Sequence, residues 1–540
     1  MKRRHRYGAV AIWCVGLFLL ATVLSAQKST NRSRTGVPQD WTQRHIIFSR
    51  EGLLQHPDLI NLEPRVFHQA MQRWQRPNSD IFHGADAAQT PSIGVANQRD
   101  WSVNLRGRIS PNMFPAKYSF DPAAAPSCAN DYVVFGTTAP GVTGGSANLV
   151  AFNNLYAGPG GLCGADPNVL FGYNITTATG GKIVTSPVIS VDGKKIAFVE
   201  SGGPTAVFHV LTWTAGQGGI GTAAAPTMTS VPFSAGNSTT SSPWVDYGGD
   251  IAYLGADDGK VYKITGVFKG TPTLAGAPWP VTVSANFHLT PPVLDKGREL
   301  LMVGSANGNL YRINTATGAL TALVIGRGTN HGILAPPIVD ITNGTTFVVS
   351  SNDSTTGVLV EVDTATLTQL AKARIGQASA SGTAVNLYQP AFSDSYYNNP
   401  STGVVRLCGT GAADTTPWQY AFGFTGRTMQ TTASFSQQLV TSTLARCTGW
   451  TEFFNPNIGV GGTDFFFFGL TQDCTAPGTG ATDGCVVARS SDTVLTKATL
   501  TGGPSGIVVD NYSTAGQASS IYMMAKNVNT AYKFTQNGLQ

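Results

Sequence analysis

Residues 241–266, SSPWVDYGGDIAYLGADDGKVYKITG, place an acidic pair, Asp257 and Asp258, ahead of Gly259 and Lys260 in a chain of which only 12% is charged. The same order of features returns in residues 290–318, TPPVLDKGRELLMVGSANGNLYRINTATG, and again in residues 335–367, APPIVDITNGTTFVVSSNDSTTGVLVEVDTATL. Each copy reads Pro, a short apolar run ending in Asp, a turn containing Gly or Asn, a second apolar run, a polar turn, then alternating apolar residues. The acidic pair is therefore one version of a variable turn. Asn307 stands there in the second copy, and Asn352 with Asp353 in the third. Self-similarity of this kind marks a repeat architecture and has to be settled before any local motif is read as chemistry.

Anchored on the Pro that starts each copy, the pattern extends to Pro115, Pro187, Pro243, Pro292, Pro337, Pro390, Pro456 and Pro504. Within one unit, PIVD or PVLD reads as strand A, ELLMVGS as strand B, LYRINT as strand C and ALTALVI as strand D, joined by Gly, Asn and Asp turns. Four antiparallel strands at this period describe a propeller blade. The sequence thus predicts an all-β fold, an eight-bladed β-propeller; seven blades is the alternative, because the Pro456 unit departs most from the pattern. The final unit supplies only three strands before the chain ends. DWSVNL, residues 100–105, is expected to provide the fourth and so clasp the ring, leaving no open edge.

A chain of 540 residues with 62 Gly and 30 Pro fits many short strands and turns better than a helical enzyme. Its first 26 residues run from a basic cluster, Lys2 to Arg6, through an apolar stretch to Ser25-Ala26. This layout predicts a signal peptide over residues 1–26, with an uncleaved anchor as the alternative and the only route to a membrane. Residues 27–98 form an N-terminal extension and residues 99–540 the propeller. In the extension, Val66, Phe67, Ala70, Met71 and Trp74 fall on one helical stripe after Pro64, and REGLLQ suggests a shorter helix. The stripe is expected to pack on the propeller as a cap. His45, His56, His68 and His83 show no ligand spacing and read as surface residues. Without the basic leader the chain is near neutral, which excludes an electrostatic footprint for nucleic acid. A monomer is expected, exported to the periplasm, cell surface or medium.

Six cysteines follow the leader: Cys128, Cys163, Cys408, Cys447, Cys474 and Cys485. An even count in an exported chain without metal-ligand spacing reads as disulfides. Chain order suggests 128 with 163, 408 with 447 and 474 with 485, among the connectivities that six cysteines allow.

VGSANGNLYRINTATGAL and LGADDGKVYKITG resemble the repeats of quinoprotein-like (PQQ-type) eight-bladed propellers, in which a small-polar-Gly turn precedes a strand and a Thr-Gly turn. The resemblance covers most of residues 99–540 and extends to exported bacterial propellers of undefined activity. It implies the propeller fold and, for the enzymes of that group, a quinone cofactor with calcium. The blade-closing Trp of those enzymes is not regularly placed after Thr317-Gly318, and no two cysteines are adjacent, so neither PQQ nor calcium is predicted here.

The motifs HExxH, GxSxG, a phosphate loop and a strand-to-helix GxGxxG are all missing, and TGGKIV at 179–184 reads as a turn. The Asp that recurs after strand A, at Asp192, Asp246, Asp295, Asp340, Asp394 and Asp510, is expected to bond turn amides. Asn352, Asp353 and Ser354 crowd oxygens together, with calcium as the rival to a turn. No catalytic, cofactor or metal residue is assigned. The reading is a binding scaffold for a protein or glycan ligand, the alternative being a PQQ-dependent dehydrogenase-like or carbohydrate-active enzyme that uses the channel. Loops leading from strand D to the next A share a face with the B–C turns. That face gathers Asn286, His288, Asn330 and His331 with Asp257, Asp258, Asn307 and Asp353, the candidate ligand face. The rival reading has each His capping its own loop.

Overall fold

Strand B of the second copy, Leu300–Gly304, pairs antiparallel with strand C, Asn309–Asn314, and C with strand D, Leu320–Val324, while strand A, Val293–Asp295, pairs with the start of B. The B–C turn needs its glycine twice over. Gly308 has φ +87°, and a Cβ there would lie 2.7 Å from the carbonyl carbon of Gly326; at Gly259, with φ +75°, it would lie 1.6 Å from the Ser284 carbonyl oxygen. Only glycine lets the following D–A loop press onto the turn.

The computed structural model describes residues 36–39, 45–55, 57–70, 97–110, 113–120, 125–235, 239–328, 332–376, 389–409, 416–455, 462–474, 483–490, 492, 495–510 and 517–536. They form a propeller ring of eight blades, each one sheet. Numbered along the chain, the innermost strands are Ala116–Ser119, Val188–Ile189, Trp244–Asp246, Val293–Asp295, Ile338–Asp340, Ala391–Phe392, Thr451–Asn455 and Val508–Asp510. The seven-bladed alternative is thereby excluded. One anchor was misplaced: Pro456 follows strand A of blade 7 rather than starting it, and lies outside the described residues. Gly449-Trp450 stands where blades 1 to 6 have Pro immediately before strand A, and buried Trp450 stacks on Phe468 with ring centroids 4.1 Å apart.

Blades pack face to face through apolar side chains. Val188, Phe208 and Val210 of blade 2 meet Val245, Leu254 and Tyr262 of blade 3, and Phe453, Phe467 and Val486 of blade 7 meet Val509, Ile521 and Phe534 of blade 8. Each such side chain contributes about 1.5–3 kcal/mol on full burial. The ring closes as the sequence suggests. Asn97–Asn104 is the fourth strand of blade 8 and pairs antiparallel with Thr530–Gln536, Trp101 opposite Lys533 and Val103 opposite Ala531. Trp101 is buried between Phe152 of blade 1 and Tyr522 of blade 8, its Nε1 donating to the Leu155 carbonyl at 3.0 Å. The clasp therefore joins both an edge and an interface.

Two further strands come from the extension and were not foreseen. Val37–Gln39 adds antiparallel to strand A of blade 1, and Ile46–Ile47 adds in parallel to strand A of blade 5. Since strand A is the inner edge of each blade, both lie inside the ring. The short helices Arg50–Gln55 and Pro64–Ala70 follow, matching REGLLQ and the first half of the stripe. Val66 and Ala70 are buried and Phe67 is half-buried, whereas Met71 and Trp74 lie outside the described residues. His45, expected at the surface, is buried where its carbonyl accepts from the Val339 amide at 2.8 Å. No helix among the described residues is long and apolar enough to cross a membrane, and residues 1–26 lie outside them.

Three disulfides join Cys128 to Cys163, Cys408 to Cys447 and Cys474 to Cys485, the pairing that chain order suggested, with Cα separations of 5.5, 6.0 and 5.9 Å.

Candidate functional site

The D–A loops and B–C turns do share a face. His288 stands on the loop into blade 4, and its carbonyl accepts from the Ala306 amide of that blade's B–C turn at 2.9 Å. Its Nδ1 lies 2.6 Å from Oδ1 of Asp257, in the B–C turn of blade 3. This hydrogen bond, outweighing partial burial, raises the His288 pKa above its ordinary value. The two residues opened as separate candidates are one pair bridging neighbouring blades, with the imidazole 59% exposed and available to a ligand.

The rest of that face is more self-satisfied. Asp258 accepts from the Lys260 amide at 3.0 Å and from the Tyr262 hydroxyl at 2.6 Å. Asn307, at the matching place in blade 4, accepts from the Asn309 amide at 3.0 Å and donates to Tyr311 at 2.8 Å. Asn286 adopts φ +63° and donates its amide to the Asp258 carbonyl at 3.3 Å. Asp353 accepts from the Thr355 and Thr356 amides and pairs with Lys372. Burial would raise its pKa, but Lys372 and Thr355 prevail and hold it at about 2. Asn352 accepts from the Ser354 amide at 2.8 Å, so these oxygens serve the turn. Asn330 and His331 lie outside the described residues. Among the described residues no cluster of three metal-ligating side chains occurs.

The Asp after strand A bonds turn amides as expected in four blades: Asp192 to Lys194, Asp246 to Gly249, Asp295 to Arg298 and Asp340 to Asn343, at 2.9–3.1 Å. Asp510 instead pairs with buried Lys117 of blade 1 at 2.8 Å, and Asp394 begins a short helix. His209, the remaining propeller histidine, is buried between Glu200 and Ser230, each at 2.9 Å.

Sequence reasoning missed a second constellation, on the opposite face, where the extension meets the A–B turns of blades 3 to 5. Buried Glu63 and Arg65 flank Pro64 and bond each other, and the Arg65 guanidinium lies 4.0 Å from the Trp244 ring centroid. Lys296 of blade 4 reaches Asp246 of blade 3 at 2.8 Å and Glu63 at 3.4 Å. Burial raises the Glu63 pKa, while Asp246, despite burial, is held at about 2 by hydrogen bonds from Glu63 and Lys296. A cavity of about 170 Å³ opens beside them, walled by Ile46, Phe48, Leu59, Trp244 and Ile341. The only signal in the sequence was a Glu-Pro-Arg triplet in a charge-poor chain.

No family model matches the chain, and no curated protein sequence matches it. Solved structures do resemble it. The Dos1 propeller superposes with a TM-score of 0.51 at 11% identity, covering 81% of this chain and 95% of that one. Sqt1 of Saccharomyces cerevisiae gives 0.49 at 10%, over 82% and 99%, and BamB of Moraxella catarrhalis 0.42 at 13%, over 82% and 98%. The first of these agrees with the propeller fold, and at such identities the likeness concerns fold alone.

Proposed function

We propose that this chain is an exported, disulfide-stapled β-propeller whose work is to bind a macromolecular partner, in the first place a protein, through the face formed by the B–C turns and D–A loops. The observation that carries this reading is the position of Val37–Gln39 and Ile46–Ile47 inside the ring of A strands. With its own chain seated there and helices laid over the A–B turns, the face left for an incoming partner is the opposite one. An enzyme working in the central channel would need that space and two convergent carboxylates or a cofactor pocket. The open face offers mixed charge on rigid turns, Asp257 with His288 and Asp353 with Lys372, suited to an orienting polar rim around a protein contact. Three disulfides fit an oxidising compartment and agree with the leader's layout.

The test is a quantitative affinity capture from envelope and culture fractions of cells that make the protein. The wild type is compared with a triple variant, Asp257→Ala, His288→Ala and Lys372→Ala, whose melting temperature is checked first. A partner protein enriched by the wild type and reduced at least about tenfold by the variant is expected. Equal enrichment by both would move the binding surface elsewhere.

A further inference from the structure

Beside the cavity between the extension and blades 3 to 5 stand buried donors with no partner among the described residues. Arg65 is 1% exposed and spends Nη2 on Glu63, yet its Nε and Nη1 have no partner among the described residues. Trp244, 2% exposed and also lining the cavity, has an Nε1 in the same condition. Buried donors normally find an acceptor, and leaving one unmet costs about 1–3 kcal/mol. Every unmet group named here is a donor, so the missing partner supplies acceptors only. Ile46, Phe48, Leu59 and Ile341 form an apolar part of the wall, next to Asp58, Glu63 and Lys296, so that partner has a hydrocarbon body as well. An apolar cavity of about 150 Å³ admits benzene, which sets the scale for a space of about 170 Å³ here.

We propose that this cavity is a binding site for a small monocarboxylate with a compact apolar body, of benzoate size, its carboxylate received by Arg65 and its body packed on Trp244 and Leu59. A guanidinium N–H received by a carboxylate is a charge-assisted bond of the stronger kind. The ligand would touch both the extension and the A–B turns, holding the inner segment on the ring. This site lies on the face opposite the partner surface, and its fate is independent of that reading.

The probe is 4-fluorobenzoate, followed by ¹⁹F NMR and thermal shift on the full chain, with 4-fluorobenzamide as the neutral isostere. Saturable binding with a rise in melting temperature is expected, the amide binding at least about tenfold more weakly. Leu59→Trp, which fills the cavity with a bulkier side chain, should abolish binding without lowering the melting temperature. Arg65→Gln should erase the preference for the acid; should it fail to fold, the acid and amide comparison and the Leu59 variant still decide. No saturable binding at millimolar probe, equal binding of acid and amide, or binding that survives Leu59→Trp would overturn the proposal.

Discussion

Lys533 and Asp100 stand 433 residues apart in the chain and 2.6 Å apart in space, both fully buried, where the first propeller strand meets the last. Thr535 donates to the same carboxylate oxygen at 2.7 Å. The neighbouring interface of blades 1 and 8 holds Lys117 against Asp510, with the Tyr156 hydroxyl donating to Asp131 at 2.6 Å. Ring closure is thus built from buried ion pairs as well as strand pairing, and breaking one leaves its partner charged in a medium that penalises it.

Asp100→Ala should therefore destabilise the protein by about 3–5 kcal/mol, while Asp100→Ala combined with Lys533→Met should recover most of the loss. Chemical denaturation of the wild type and the two variants checks this. Deleting residues 97–104 removes the pairing and Trp101 together, and aggregation or loss of cooperative unfolding is expected. A double variant no more stable than the single one would contradict the account of the pair.

The clasp was legible because a three-strand terminal unit and one unmatched N-terminal strand imply each other. Blade count was legible for the same reason that the repeat was: Pro, Asp and Gly punctuate each unit at backbone positions that few residues can fill. Blade 7 escaped because Trp450 replaces the Pro and holds the strand start by stacking, a tertiary device that leaves no periodic trace. The inner strands escaped too. A strand as short as Ile46–Ile47 carries no period, and its partner, Val339-Asp340, is nearly 300 residues away. The face of candidate residues followed from antiparallel geometry. That Asp257 faces His288, whereas Asp258 is consumed by its own turn, depends on loop heights that composition does not encode.

Glu361 of blade 5 is fully buried, with one oxygen accepting from the Met429 amide at 2.6 Å and the other without a partner among the described residues. Burial, reinforced by nearby Asp340 and only partly offset by Met429 and Arg427, pushes its pKa up to about 7. The folded protein then holds this proton more tightly than the unfolded chain. Its contribution is full below the ordinary carboxylate pKa near 4.5 and is lost as pH rises to about 7. Glu361→Gln, permanently neutral, should gain on the wild type by about 1–3 kcal/mol between pH 4.5 and 8. Denaturant midpoints across that range measure it; parallel curves would contradict the assignment.

His288 should titrate above the ordinary histidine range, because protonation strengthens its bond to Asp257, and Asp257→Asn should lower that pKa. The pair's contribution is full below pH 6.5 and fades as pH rises through the elevated value. NMR titration of the imidazole reports both; an unchanged pKa in the variant would show that the pair is not formed in solution.

The three disulfides should differ in worth. Cys408–Cys447 closes a separation of 39 residues and Cys474–Cys485 one of 11. On loop-closure entropy, replacing the first pair by Ser should cost about 1 kcal/mol more than replacing the second. Comparing the melting of the two double-Ser variants checks the order, and a reversed order would point to native-state packing around Cys474 instead.

In the proposed function one face of the ring meets a partner while the other is covered by the protein's own N-terminal segment. The direct measurement places a photo-activated cross-linking residue at His288 or Lys372 on the first face and at Leu54 or Leu62 on the second, in cells that make the protein. One discrete adduct is expected, the same from both first-face positions, displaced by excess unlabelled protein and missing from the second face. Adducts only from Leu54 and Leu62, or equal adducts from both faces, would contradict it.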